Sequence, residues 1–229
     1  MKVDGLIFDK DGTLFDYHAT WSVALGDLIS NLAQGDKILH QRMADEMDFD
    51  LALGRFRPTS PIIACTNREA AEVLARSLPH WNVDALEIHL EDFAMSAPLA
   101  PAVPLPPLMQ RFKGMGLRLA VMTNDSERGA RANLREAGVY EDFDMIVGFD
   151  SGHGAKPFPD PLLAIASRIG IAPDRCAMVG DSTHDLIAGR AAGMPTVAVL
   201  TGVAEAEELQ PHADVVLPDI GEIPTWLTA

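Results

Sequence analysis

The sequence is poor in several features that would each point to a class of function. It has only two cysteines, Cys65 and Cys176, in 229 residues. They stand far apart and in no C-x-x-C spacing, so a disulfide framework and a cysteine-based metal knuckle are excluded. Two buried thiols in a reducing, cytoplasmic setting are expected. Basic residues are scarce as well: 18 Lys and Arg face 33 Asp and Glu, for a net charge of −15. A surface this acidic repels nucleic acid and anionic lipid, so neither is expected as a partner. No apolar run approaches the roughly 18 residues of a membrane span. The opening Met1-Lys2-Val3-Asp4-Gly5 leads straight into a strand-like run, without the regions of a signal peptide. Repeats and low-complexity segments are also missing, and nothing specifies an oligomeric state.

What is present is a chain with 48% apolar residues, enough for one core domain carrying a second small unit. Short β-branched or apolar runs, bounded by Gly, Pro or Asp, fall at Val3–Phe8, Leu117–Thr123, Phe143–Phe149, Cys176–Gly180, Thr196–Leu200 and Ala213–Leu217. They read as buried strands. Between them, Ser126–Ala137, Pro159–Ile169 and Thr183–Ala192 carry helix start and stop signals, each followed by glycine. Strands alternating with helices predict an α/β fold with a mostly parallel, Rossmann-like sheet covered on both faces.

Residues 17–97 break this rhythm. They show only helical pieces, at Thr20–Leu32, Lys37–Leu53, Asn67–Leu78 and Val83–Met95, with a capping box at Thr66-Asn67-Arg68-Glu69. So much helix between the first two strands exceeds one crossover and predicts an inserted helical cap domain. The expected division is a core of residues 1–16 and 98–229 and a cap of residues 17–97. Prolines 98, 101, 104, 106 and 107 predict a stiff, extended return linker.

Four polar clusters follow strand ends, where open parallel sheets bind ligands. Phe8-Asp9-Lys10-Asp11-Gly12-Thr13-Leu14 follows the first strand; alone it could be a turn rich in turn formers. Thr123-Asn124-Asp125 offers a hydroxyl and amides to phosphate oxygens, or merely a helix cap. Lys156 follows the glycine-broken loop Ser151–Ala155, and a lone lysine is ordinarily a solvated charge. Gly180-Asp181-Ser182-Thr183-His184-Asp185 places two carboxylates at a helix start, where the helix dipole alone would favour them.

Together, in this order, the clusters resemble the four signature motifs of the haloacid dehalogenase superfamily: Asp-x-Asp-Gly-Thr, a strand-end Thr or Ser, a Lys, and Gly-Asp-x-x-x-Asp. Within it, the chain is most similar to phosphoglycolate phosphatases and related small-metabolite phosphatases. The resemblance covers residues 1–16 and 105–229, and the cap matches more weakly. It implies a phosphatase acting on a small anionic phosphorylated metabolite through an aspartyl-phosphate. Asp9 is then the nucleophile and Asp11 the acid and base. Asp9, Asp181, Asp185 and a phosphate dianion bring about five negative charges together, against the single charge of Lys156. A divalent cation is therefore needed, and oxygen ligands suit Mg²⁺. By resemblance its ligands are the Asp9 and Asp181 carboxylates and the Asp11 carbonyl, with Asp185 holding bound water or orienting Lys156. Thr123, the Asn124 backbone N–H and Lys156 would grip the phosphoryl oxygens, and Gly12 permits the sharp turn.

Substrate selection would fall to the cap, where Arg55 and Arg57 suit a carboxylate or second phosphate, unless they are solvated loop residues. His18 is a further candidate for the cavity wall. Alternation points Lys10 away from the site, and Trp21, Trp81 and Trp226 read as core or edge residues. The rival readings are a sugar-phosphate phosphomutase of the same superfamily, which shares all four motifs, and a non-catalytic binding protein of the same fold. A dehalogenase would not need Asp11, and a C–P cleaving enzyme would replace it with a small residue.

Overall fold

The computed structural model describes residues 2–57 and 59–228. Its central sheet has six strands: β1 (Gly5–Phe8), β4 (Arg118–Met122), β5 (Met145–Val147), β6 (Cys176–Gly180), β7 (Thr196–Val199) and β8 (Val215–Leu217). Their order is β5-β4-β1-β6-β7-β8, and every pairing is parallel. The first strand of the chain thus lies in the middle, and the strand order runs outward from it in both directions. Such a switch point opens a crevice at the carboxyl ends of the strands, and Asp9 stands at that end of β1.

The alternation of side chains explains the layers. Leu6, Phe8, Leu119, Val121, Ala177 and Val179 face one side. There they meet α5 (Leu105–Gly114), α6 (Glu127–Glu136) and α10 (Ile223–Thr228). Ile7, Ala120, Met122, Cys176 and Met178 face the other side, against α7 (Asp160–Ile169) and α8 (Thr183–Ala191). A fully buried Leu, Ile or Phe of this kind contributes about 1.5–3 kcal/mol.

The inserted stretch carries its own hydrophobic cluster, which includes Trp21, Leu28, Met43, Phe56, Leu74 and Leu90. A π-helical turn, His18–Ser22, runs into α1 (Val23–Ala33), followed by α2 (Lys37–Glu46), α3 (Asn67–Ala75) and α4 (Val83–Ser96). The capping box forms as expected: the Thr66 N–H donates to Glu69 Oε2 at 2.8 Å, and the Glu69 N–H donates to Thr66 Oγ1 at 3.2 Å. The two strands of chain that lead into and out of this insert run side by side. The Asp16 N–H donates to the Ala100 carbonyl at 2.8 Å, and the Ala100 N–H donates to Thr20 Oγ1 at 3.0 Å.

Two expectations need correction. The insert contains strands: β2 (Phe49–Asp50) pairs antiparallel with β3 (Arg55–Phe56), so the helix expected over Lys37–Leu53 stops at Glu46. The proline-rich stretch is extended only in its first half. Pro106 and Pro107 sit in the first turn of α5, where a missing N–H costs nothing because those donors have no helical partner.

Candidate active site

The loop after β1 carries Asp9 into the crevice. Asp9 Oδ1 accepts from Lys156 Nζ at 2.7 Å and from the Lys10 backbone N–H at 2.7 Å. Its other oxygen takes no hydrogen bond among the described residues. The loop after β6 brings Asp181, and the first turn of α8 brings Asp185, to the same place. Asp9, Asp181 and Asp185 each offer an oxygen, and these oxygens lie within 4.8 Å of one another.

The two loops interlock. Thr13 Oγ1 donates to Asp181 Oδ1 at 3.0 Å. Gly12 has φ +78°, and a Cβ there would collide with the Asp181 carboxylate. The β7 loop closes in from the other side: a Cβ at Gly202 would strike the same carboxylate, and Thr201 Oγ1 donates to the Gly12 carbonyl at 2.7 Å. Asp185 is fully buried and committed. Its Oδ1 accepts from Lys156 Nζ at 2.6 Å, and its Oδ2 accepts from the Ser182 N–H at 3.0 Å and the Ser182 hydroxyl at 2.7 Å.

Electrostatics follow from this crowding. Burial, then Asp185 and Asp11, push the Asp9 carboxyl up to about 7 despite the opposing pull of Lys156. Burial, then Asp185 and Asp9, hold Asp181 well above the usual carboxylate range. Burial alone would depress Lys156, but Asp185 and Asp9 more than reverse it, and its ammonium is held above its ordinary value.

The loop after β4 supplies donors. Thr123 Oγ1 accepts from the Asp125 N–H at 3.1 Å, which leaves its hydroxyl proton to donate. The Asn124 side chain is a tie: its amide donates to the Lys156 carbonyl at 3.0 Å and to the Ala64 carbonyl at 2.9 Å, and its oxygen accepts from the Lys156 N–H at 2.9 Å. The Asn124 backbone N–H donates to none of the described residues.

Asp11 is gripped from two sides that the sequence did not reveal. Trp21 Nε1 donates to its Oδ1 at 2.9 Å, and Lys10 Nζ sits 3.0 Å from its Oδ2. Lys10 is completely buried, and its ammonium also meets Asp125 Oδ2 at 2.9 Å and Asn133 Oδ1 at 2.7 Å. It does not line the cavity, in keeping with strand alternation, but its long stem curls back beneath Asp11. Trp21 is therefore no mere core filler.

These groups surround a cavity of about 120 Å³. Asp9, Asp11, Thr123, Asn124, Lys156, Asp181 and His184 line it from the sheet side, and Trp21, Leu25, Ile62, Ile63, Leu90 and Phe93 from the insert. The insert is held down by Asn67 Nδ2, which donates to Asp125 Oδ1 at 2.9 Å, and by Glu91 Oε1, which accepts from Ser126 Oγ at 2.7 Å and Arg128 Nε at 2.9 Å. Arg55 and Arg57 are not brought to the cavity. Both are exposed on the β2–β3 hairpin, and Arg57 pairs with Asp50 at 3.1 Å and Asp48 at 3.4 Å. Burying Phe56 in the insert cluster turns the alternating Arg55 and Arg57 outward. His18 is also exposed and off the cavity.

Comparisons with known proteins point to one family. The phosphoglycolate phosphatase of Xanthomonas campestris pv. campestris (strain 8004) is 28% identical over 235 residues, covering 96% of each chain. That of Rhodospirillum rubrum is 31% identical over 229 residues, covering 97% of this chain and 90% of its own. Among solved structures, a HAD family hydrolase from Deinococcus radiodurans R1, with bound phosphate and sodium, superposes with a TM-score of 0.69 at 20% identity, covering 99% of this chain and 95% of its own. The family pattern of the haloacid dehalogenase-like hydrolases matches residues 3–193, and it is to this family that the chain belongs.

Proposed function

We propose that the protein is a Mg²⁺-dependent phosphatase that hydrolyses a small phosphate monoester through a phosphorylated Asp9. The observation that carries this reading is the meeting of one buried ammonium, Lys156, with three converging carboxylates on the cavity floor. A lone lysine leaves that cluster strongly anionic, so an approaching phosphate needs more positive charge. The donors are all oxygen, and the pKa values of Asp9 and Asp181 are raised by burial and mutual repulsion. Such a set fits a hard divalent cation. Asp9 and Asp181, with the Asp11 carbonyl, would hold it. Asp185, spent on Lys156 and Ser182, is suited to orienting the lysine. Bound there, the ion supplies charge neutralisation between the nucleophile and the phosphoryl group.

The chain's own groups do the rest. Lys156, the Thr123 hydroxyl and the Asn124 N–H grip the phosphoryl oxygens. The free oxygen of Asp9 attacks phosphorus, forming a P–O bond to Asp9 as the bond to the ester oxygen breaks. Asp11, aimed by Trp21 and Lys10, gives a proton to the departing alkoxide. It then takes one from the water that attacks the aspartyl-phosphate, which frees Asp9 and inorganic phosphate. A sugar-phosphate mutase would need a second phosphate subsite, and Lys156 is the only Lys or Arg among the described residues lining this cavity.

The test is phosphate release from 4-nitrophenyl phosphate and from phosphoglycolate, with Mg²⁺ and with chelator, together with trapping of a labelled, hydroxylamine-sensitive enzyme adduct. Release that chelator leaves unchanged rules out the metal. Release without an adduct, under conditions that stop hydrolysis, rules out the covalent route. A protein that binds phosphate esters without releasing phosphate is a binding module.

A further inference from the structure

The side of the cavity contributed by the insert is apolar. Leu25, Ile62, Ile63, Leu90 and Phe93 face the space above the aspartates, beside the indole of Trp21. Four of the five aliphatic and phenyl side chains, Leu25, Ile62, Ile63 and Phe93, remain only partly buried, as expected of residues whose free side is the cavity. Most polar groups on this wall are already engaged; Tyr17 also lines the cavity, and its hydroxyl makes no hydrogen bond among the described residues. Thr66 caps α3, Asn67 donates to Asp125, and the Cys65 thiol donates to the Ile62 carbonyl at 3.3 Å, its pKa pushed up to about 12 by burial.

The cations of the insert are elsewhere. Arg57 pairs with Asp48 and Asp50, and Arg68 pairs with Asp84 and Glu87. Lys156 spends two of its three N–H donors on Asp9 and Asp185, and a phosphoryl group would take the third. A carboxylate on the organic part of a substrate would therefore be desolvated against apolar side chains with no ammonium or guanidinium to meet it, only the Tyr17 hydroxyl and the His184 ring. A hydrocarbon group would gain from the same wall.

We propose that the ester this site takes is the phosphate of an uncharged, largely apolar alcohol, and that Ile62 and Phe93 select against a carboxylate next to the phosphate. This rests on the phosphatase reading above and departs from the substrate in the relatives' names.

The experiment is kcat/KM for methyl, ethyl, propyl and butyl phosphate, phosphoglycolate and 4-nitrophenyl phosphate, in the wild type and in Phe93→Arg and Ile62→Arg. The alkoxide leaving groups of the homologous series differ little in basicity, so its slope reports contact with the wall. Each added methylene is expected to raise kcat/KM about fourfold until the space is full. Butyl phosphate should exceed phosphoglycolate by at least about tenfold. An added arginine should lower the butyl ester and raise phosphoglycolate, reversing their order, while 4-nitrophenyl phosphate reports that the aspartates still work. A flat alkyl series, or wild-type preference for phosphoglycolate, overturns the proposal and leaves the phosphatase reading standing. Inertness toward every ester, 4-nitrophenyl phosphate included, overturns the phosphatase reading and the proposal with it.

Discussion

The floor of the cavity and its roof solve different problems with different material. The floor comes from loops at the ends of four parallel strands, and its charged groups are almost entirely buried and held by hydrogen bonds of 2.6–3.0 Å. The roof comes from short helices and a loop whose hydrophobic residues are half-buried and whose charges point outward. Charge held in a rigid, water-poor frame does chemistry, whereas an apolar surface can only sort by size and hydrophobicity. On the proposed reading, the reaction and the choice of substrate fall to separate parts of the chain.

Substitutions on the floor should have the largest effects. Asp9→Asn should lower turnover by at least about 10⁴-fold with an unchanged circular dichroism spectrum; residual activity near one per cent of wild type would remove Asp9 as nucleophile. Lys156→Met leaves Asp185 buried and unpaired. Chemical denaturation should show a loss of about 3–5 kcal/mol, alongside a drop in activity.

Proton competition is the next contrast. The Asp9 pKa near 7 lies above the ordinary 3.8, so the folded, metal-free protein binds a proton that the unfolded chain releases at lower pH. This contribution to stability is present below about pH 4 and is lost as pH rises through about 7. A cation needs the deprotonated form. The rise in Tm on adding Mg²⁺ should therefore be large near pH 8 and small near pH 5, and equal rises at both would contradict the raised carboxyl.

Lys10→Met should cost about 10-fold to 100-fold in kcat/KM through a misplaced Asp11, with a larger loss for an alkyl ester than for 4-nitrophenyl phosphate, whose leaving group needs no proton. Equal losses would reduce Lys10 to a structural ion pair. The smallest effect belongs to the outer face of the roof. Arg55→Ala and Arg57→Ala should change kcat/KM less than about twofold, since exposed pairs contribute little; a larger KM change for either would bring the hairpin into the site.

What the sequence disclosed divides along the same line. Buried parallel strands are short apolar runs with hard stops, so all six were visible, and the clusters at their ends announced Asp9, Asp11, Thr123, Lys156, Asp181 and Asp185. Helix α5 was hidden because proline discourages helix everywhere except the first turn. The β2–β3 hairpin was hidden because two-residue strands have no period to detect. Trp21 and Lys10 escaped because their partner, Asp11, is reached by a side chain curling across a turn, and residue type alone does not record that path. The arginines of the hairpin misled for a related reason: burial of Phe56 decides where they point, and it depends on contacts distant in sequence.

The tie made by Asn124 has a mechanical consequence. One amide side chain holds the Ala64 carbonyl overhead and both the N–H and the carbonyl of Lys156 below, and the neighbouring Asp125 is held from above by Asn67 while serving as counter-ion to Lys10. If the roof lifted, the phosphate-gripping loop and the support of Asp11 would each lose a bond at the same moment. Lifting the roof to let the product leave would then also loosen the reactive machinery, so an open, water-filled site would not be fully armed.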